Sequence, residues 1–328
     1  MRYGDFKWDG LIGTGAFSEV FLARQVLEAK DCAVKVVRKH HLKGNVLDYF
    51  KTEVELLQAC RHNGIADFVG KFQDPLKFYL IFEFCRGGDL RYGLSKRGPY
   101  AENAVIFYAA QVTLALEYLH SLKIMFRGLR PEKVCIDAEG YAKLIDFGIA
   151  KKLDKDSTFT LCGDPEYVSP DLLGQQGYGL SVDIWSLGII VYELLAGYPP
   201  FAATTPFQVY QKVLKNRVDY PVSLTDAAKN FIANLLVSNG DLRPTPLETK
   251  ALPYFITVDW KKLNNRQLEA PFVPISGDHN KRAHFDDFLT TTDDDDDDRN
   301  ASSSHDDNNH GNSSSVFADL VNLFRDAD

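Results

Sequence analysis

The sequence predicts an α+β protein in which a small strand-rich lobe precedes a larger helical one. Two patterns carry this reading. Up to about residue 85, apolar and polar residues alternate in short runs such as Cys32-Ala33-Val34-Lys35-Val36-Val37 and Phe78-Tyr79-Leu80-Ile81-Phe82, the period of strands. From Tyr100 onward the period lengthens, with Val105, Tyr108, Ala109, Val112, Leu116 and Leu119 at helical spacing.

The strand-rich part is interrupted by one helix, marked by Leu47, Phe50, Val54 and Leu57. Glu53 lies on the same face, and a carboxylate pointing into an apolar interior requires a cation partner. Two later helices are predicted over roughly 183–196 and 225–237, the second with Thr225 as its N-cap. Beyond Phe255 the periodicity fades, and the aspartate run at 293–298, followed by Ser, Asn and His, predicts a disordered low-complexity tail. Within that tail Phe317, Leu320, Val321 and Phe324 would share one helical face, so docking on the small lobe, a partner-binding helix and plain disorder all stay open.

Composition narrows the function classes. With 328 residues, 45% of them apolar and 12% aromatic, the chain is able to bury sizeable cores. The five cysteines are scattered without a C-x-x-C pair, which argues against a disulfide framework and a zinc cluster and for a reducing compartment, cytoplasmic or nuclear. Neither a leader peptide nor a membrane span is expected. The net charge of −8 is concentrated in the tail: from Asp286 onward thirteen Asp oppose two Arg, a balance of −11, leaving about +3 on the rest. No basic stripe suggests nucleic acid.

Several motifs carry chemistry. Ile12-Gly13-Thr14-Gly15-Ala16-Phe17-Ser18-Glu19-Val20 joins two predicted strands through small residues that let backbone N–H groups approach phosphates. Taken alone, this pattern also describes a bare hairpin. Lys35, fifteen residues after Val20, and inward-facing Glu53 supply the context that favours a phosphate site. Further on come Ile124-Met125-Phe126-Arg127-Gly128-Leu129-Arg130-Pro131-Glu132-Lys133 and, thirteen residues after Lys133, Asp146-Phe147-Gly148 behind a strand-like Ala142-Lys143-Leu144-Ile145.

In this order the motifs make residues 6–255 resemble a Ser/Thr protein kinase domain, which implies a two-lobed kinase fold. Thr160-Leu161-Cys162-Gly163-Asp164-Pro165-Glu166-Tyr167 and Ala196-Gly197-Tyr198-Pro199-Pro200-Phe201 resemble the cyclic-nucleotide-dependent branch of the AGC kinases. Ala270-Pro271-Phe272-Val273-Pro274 and Phe285-Asp286-Asp287-Phe288 resemble that branch's C-terminal extension, bringing coverage to about 280 of 328 residues. The resemblance implies a small lobe at 6–85, a large lobe at 86–255, an extension at 256–292 and the acidic tail at 293–328.

It also implies roles. ATP would be held by residues 12–20 of the glycine loop (Ile12, Gly13, Thr14, Gly15, Ala16, Phe17, Ser18, Glu19 and Val20). Ala33, Lys35 paired to Glu53, Phe82, Glu83, Cys85, Cys135, Asp146 and Phe285 complete that set, with Asp146 as a Mg²⁺ ligand. Asp89, Glu132, Glu166 and Glu193 match acidic positions that take arginines of a basic peptide, substrate or pseudosubstrate, and a regulatory subunit is a further partner class. Thr160 matches an activation-segment phosphosite. Leu57, Phe68, Phe126 and Phe147 match a stacked apolar column anchored by Asp183, and Arg243 matches the partner of the activation-segment acid, here Asp171.

The departures are as informative. Gly128 stands where the family places its catalytic Asp, Lys133 where it places a metal-binding Asn, and Arg130 where Ser/Thr kinases carry a Lys. Ser18 replaces the third glycine of the loop, predicting a stiffer cover over the phosphates. Asp164 replaces a Thr, and its carboxylate is read either as a salt-bridge partner of Arg130 or as a relocated base. The expectation is an ATP-binding pseudokinase with a regulatory or peptide-binding role and at most one Mg²⁺. The alternative is an active Ser/Thr kinase using rewired residues.

Overall fold

A computed structural model describes residues 1–154, 157–160, 162–174 and 177–274. The expected nucleotide contact Phe285, the acidic run at 293–298 and the amphipathic segment at 316–324 lie outside the described residues. The described chain divides into two compact units: residues 1–55 with 67–84, and residues 56–66 with 85–274.

The first unit is built on five strands, β1 (Phe6–Thr14), β2 (Ser18–Gln25), β3 (Lys30–Arg38), β4 (Phe68–Gln73) and β5 (Lys77–Glu83). They form one antiparallel sheet in the order β1-β2-β3-β5-β4. The alternation in β3 sends Val34 and Val36 to one face, where they pack with Phe6, Ala23, Phe72, Tyr79 and Ile81. Lys35 therefore belongs to the other face. Helix α1 (Asn45–Ala59) follows β3 and buries Leu47, Phe50 and Val54, with Phe50 set against Phe78 of β5 at 5.4 Å between ring centres.

Residues 56–66 group with the second unit because of the hydrogen bonds they make there: Ala66 N–H donates to the Leu144 carbonyl and Leu144 N–H to the Gly64 carbonyl. Helices α2 (Leu90–Arg97) and α3 (Glu102–Ser121) lead into the short strands β6 (Ile124–Met125), β7 (Val134–Ile136), β8 (Ala142–Leu144) and β9 (Lys151–Lys152), paired β6 with β9 and β7 with β8. Helices α4 (Pro170–Leu173), α5 (Ser181–Ala196), α6 (Pro206–Lys215), α7 (Asp226–Leu235), α8 (Pro246–Lys250) and α9 (Trp260–Asn264) complete it. A five-stranded antiparallel sheet with one helix thus precedes a mainly helical unit, as the sequence predicts for an α+β chain.

Helix α5 begins two residues before the expected 183, because Leu180 is already helical and Val182 joins Met125, Leu153, Val168, Leu172 and Tyr178 in a local core. It ends at Gly197, whose φ of +94° suits a residue without Cβ. Helix α7 opens as expected on Thr225, whose hydroxyl accepts the Ala228 N–H at 3.1 Å. It ends at Leu235 rather than 237 because Leu236 leaves the helical region at ψ +52°. Among the described residues no helix is long and apolar enough to cross a membrane.

One buried ion pair ties α4 to the C-terminal helices. The fully buried Arg243 side chain faces Asp171 Oδ2 at 2.5 Å and donates to the carbonyls of Val237, Ser181 and Ser238. Removing one partner of such a pair strands the other charge and costs about 3–5 kcal/mol. Asp171→Ala is therefore expected to lose stability of that order in urea denaturation, and a loss below about 1 kcal/mol would show that the three carbonyls suffice to hold the guanidinium.

Candidate functional site

In the first unit the turn between β1 and β2 is tightened by Gly15 N–H donating to the Ser18 carbonyl at 2.7 Å. A Cβ on Gly15 would sit 2.8 Å from Ser18 Oγ, so the serine that replaces a glycine makes Gly15 itself harder to replace. Gly13 is less constrained, meeting only Val20 at 3.7 Å. Phe17 stands exposed at the tip beside Thr14, Ala16 and Glu19. Behind the turn Ile12, Val20 and Ala33 gather around Leu22 as an apolar patch.

The cation that Glu53 needs is Lys35, its Nζ 2.6 Å from Glu53 Oε1. Both side chains are largely shielded, at 14% and 3% exposure, so this is a load-carrying link between β3 and α1 and not a solvent-screened surface pair. Phe82 pairs with Ala33 across the sheet, and Glu83 Oε1 accepts the Asp67 N–H at 2.8 Å.

In the second unit the loop after β6 is held by Asp183, in the first turn of α5. Its Oδ2 accepts the Phe126 N–H at 2.9 Å and its Oδ1 the Arg127 N–H at 2.8 Å, while His120 Nε2 lies 2.9 Å from Oδ2. Arg127 is thereby fixed at φ +60°, a left-handed conformation unusual for a side chain of its size. Its guanidinium donates to the Ile149 carbonyl and, at 3.2 Å, to the Tyr178 hydroxyl. Tyr178 in turn donates to the carbonyl of Thr160, whose own residue is exposed. Nothing in the sequence marks Tyr178, because a lone tyrosine in an irregular segment carries no periodic signal.

Gly128 follows, and a Cβ there would meet Ile149 Cδ1 and Cγ1, both at 3.3 Å, and the Phe126 carbonyl oxygen at 3.9 Å. The loop thus keeps the shape that would present a side chain while presenting none. Two ion pairs stand beside it in the same unit. Arg130 Nη1 lies 2.9 Å from Asp164 Oδ2, and Asp164 Oδ1 accepts the Glu166 N–H at 3.2 Å. Lys133 places its ammonium against Asp146 Oδ2. Asp146 itself holds φ +62° and accepts the Gly148 N–H at 3.2 Å on Oδ1.

Of the apolar column, Phe126 and Phe147 meet edge to face at 5.3 Å in the second unit, where Leu57 is also buried; Phe68 is buried in the first. Cys85 and Cys135 are buried, and burial pushes the Cys135 thiol well up. Of the four acidic positions expected to face a peptide, Asp89 caps α2 by accepting the Tyr92 N–H at 2.7 Å. Glu193 is instead fully enclosed beneath Arg91, a residue that a single arginine in a polar helix did not mark out.

These residues were tested against the groups a kinase holds. A bound ATP would meet, in the first unit, the glycine turn, the apolar patch around Leu22 and the Lys35–Glu53 pair, residue types that suit phosphates and an adenine. For Mg²⁺ the second unit does not fit as arranged: among the described residues no three His, Cys, Asp or Glu side chains gather as a metal site, and Asp146 already carries an ammonium.

The protein kinase domain family matches residues 6–255. The chain is 37% identical over 291 residues to a cAMP-dependent protein kinase catalytic subunit from Dictyostelium discoideum, covering 87% of this chain and 45% of that protein. It is 34% identical over 290 residues to cAMP-dependent protein kinase catalytic subunit 3 from Drosophila melanogaster, covering 87% and 50%. With the cAMP-dependent protein kinase catalytic subunit PRKX from Mus musculus the identity is 36% over 280 residues, covering 83% and 79%. The chain thus spans about half the length of the first two of these relatives.

Asp89 offers a pH test. Burial raises its carboxyl to about 6, against the lowering effect of the Tyr92 N–H. The folded chain then holds this proton more tightly than the unfolded chain, so the stabilisation is complete below about pH 4 and is lost as pH rises through about 6. Asp89→Asn keeps a cap and removes the titration. A higher melting temperature near neutral pH and a flatter profile between about pH 4 and 6 are expected; an unchanged slope would assign it to another group.

Proposed function

This chain belongs to the protein kinase family, among the AGC Ser/Thr kinases, and from that premise we propose that it is an ATP-binding pseudokinase, a regulatory or peptide-binding module with little phosphoryl transfer of its own. The observation that carries this reading is Lys133 seated on Asp146 in the unit whose catalytic loop carries Gly128. Its partners would be a basic peptide or pseudosubstrate, or a regulatory subunit, in the cytoplasm or nucleus.

ATP brings a transferable γ-phosphoryl group, and kinase catalysis of its transfer is mainly positioning and charge stabilisation. In this chain Lys35, oriented by Glu53, would take phosphate charge, with the N–H groups of the glycine turn beside it. Gly128 offers no proton acceptor, and a positioned base is worth about 10²–10⁴-fold. Lys133 supplies a fixed positive charge where the family uses a neutral metal ligand, so at most one Mg²⁺ would bind, and only by displacing that ammonium from Asp146. Arg130 spends its charge on Asp164.

The second reading, an active kinase using Asp164 as base, rests on that residue's partial exposure in the same unit. Both of its carboxylate oxygens are engaged, one by Arg130 and one by the Glu166 N–H, which favours the structural role.

Calorimetry with ATP across a Mg²⁺ titration tests the nucleotide half of the proposal. Affinity is expected to change less than about threefold with Mg²⁺, and Lys133→Ala should make it metal-dependent. Folded protein that binds no ATP under any metal condition would end this reading.

Single-turnover transfer to a basic peptide tests the catalytic half, with a rate near background expected. Gly128→Asp requires only a shift of the Ile149 side chain and should restore part of about 10²–10⁴-fold. Robust wild-type transfer abolished by Asp146→Ala and by Asp164→Asn, in folded protein, would establish the active kinase instead.

A further inference from the structure

Arg91 lies in the first turn of α2 and reaches into the acidic group formed by Glu132, Tyr167 and Glu193. All three guanidinium nitrogens are used. Nε donates to Glu132 Oε1 at 2.8 Å and Nη2 to the Tyr167 hydroxyl at 2.7 Å, while Nη1 faces Glu193 Oε1 at 2.5 Å as an ion pair without hydrogen-bond geometry. Tyr167 donates to the other Glu193 oxygen at 2.6 Å.

Exposure shows which group is the lid and which the floor. The Glu193 side chain is fully buried, whereas Arg91 and Glu132 keep about a third of theirs in solvent, at 32% and 33%. The guanidinium therefore closes a recess whose base is a buried carboxylate. Burial pushes the Glu193 carboxyl up, while Arg91 and the Tyr167 hydroxyl pull it back toward ionisation. The planar fork matches two carboxylates and a hydroxyl at once, which a compact ammonium does not.

We propose that Arg91 is an internal occupant of the recess over Glu193, filling in cis the place that an arginine of a bound peptide would take, so that the protein gains no affinity from arginine at that position. The proposal rests on the reading of Glu132 and Glu193 as peptide-facing positions and refines it. A side chain tethered in the same fold surrenders no translational freedom on seating, so an arginine in trans competes at a disadvantage set by that effective concentration. Peptides recognised by this protein are then distinguished by other contacts, and the recess becomes a guanidinium site only when Arg91 is removed.

The experiment compares wild type with Arg91→Ala using two probes. Methylguanidinium is expected to raise the melting temperature of Arg91→Ala by about 2–4 °C and to leave wild type unmoved. Adding Glu132→Gln to Arg91→Ala should erase the shift. This arm needs no peptide and no nucleotide, so it succeeds or fails independently of the proposed function. A folded Arg91→Ala protein that shows no shift would overturn the proposal.

The second probe is a pair of peptides identical but for one Arg or Ala, titrated into wild type. Equal affinity is the expected result, with Arg91→Ala gaining about tenfold for the arginine peptide. Wild type preferring the arginine peptide by tenfold or more would overturn the proposal, and that arm stands even where Arg91→Ala fails to fold.

Discussion

The buried carboxylate of Asp183 is the constraint on which the second unit's loop depends. It accepts two consecutive backbone N–H groups, from Phe126 and Arg127, and lies beside His120, all from within the first turn of α5. Charge at a helix N-terminus is favoured by the helix dipole, and an unpartnered buried N–H costs about 1–3 kcal/mol, so this arrangement leaves the loop few alternatives. It holds Arg127 in its left-handed conformation and sets the path of Gly128. The loop's shape is thus set by Asp183 and the backbone it holds and not by the side chain at position 128, so a glycine there leaves the frame intact.

Around that frame three carboxylates are paired with the chain's own cations. Lys133 sits on Asp146, Arg130 on Asp164, and Arg91 over Glu193. Each contact places a cation beside a carboxylate that would otherwise carry its charge unpaired. The common effect is a set of carboxylates whose charge is matched from within the chain.

Much of this was legible in the sequence, and for identifiable reasons. Glu53 on an apolar helical face demanded a cation, and Lys35 supplied it; Thr225 announced a helix start; Arg243 and Asp171 fell into place once the order of motifs was recognised. These are local rules, or long-range ones fixed by a known order. Arg91 escaped because nothing in a polar helix distinguishes a solvent-facing arginine from one folded back over a buried acid. The Lys133–Asp146 contact escaped for a related reason: substitution of a metal ligand by a cation is visible, but the carboxylate that receives it is chosen by the loop's path.

The Lys35–Glu53 link carries one more implication. It is closed inside the first unit, between β3 and α1. Helix α1 is thus tied to its sheet by a shielded charge pair, and a partner that reads this helix would meet a finished surface. Recognition of that kind would forfeit little entropy to ordering, and the pair would then serve as a clamp that keeps the recognised helix in place.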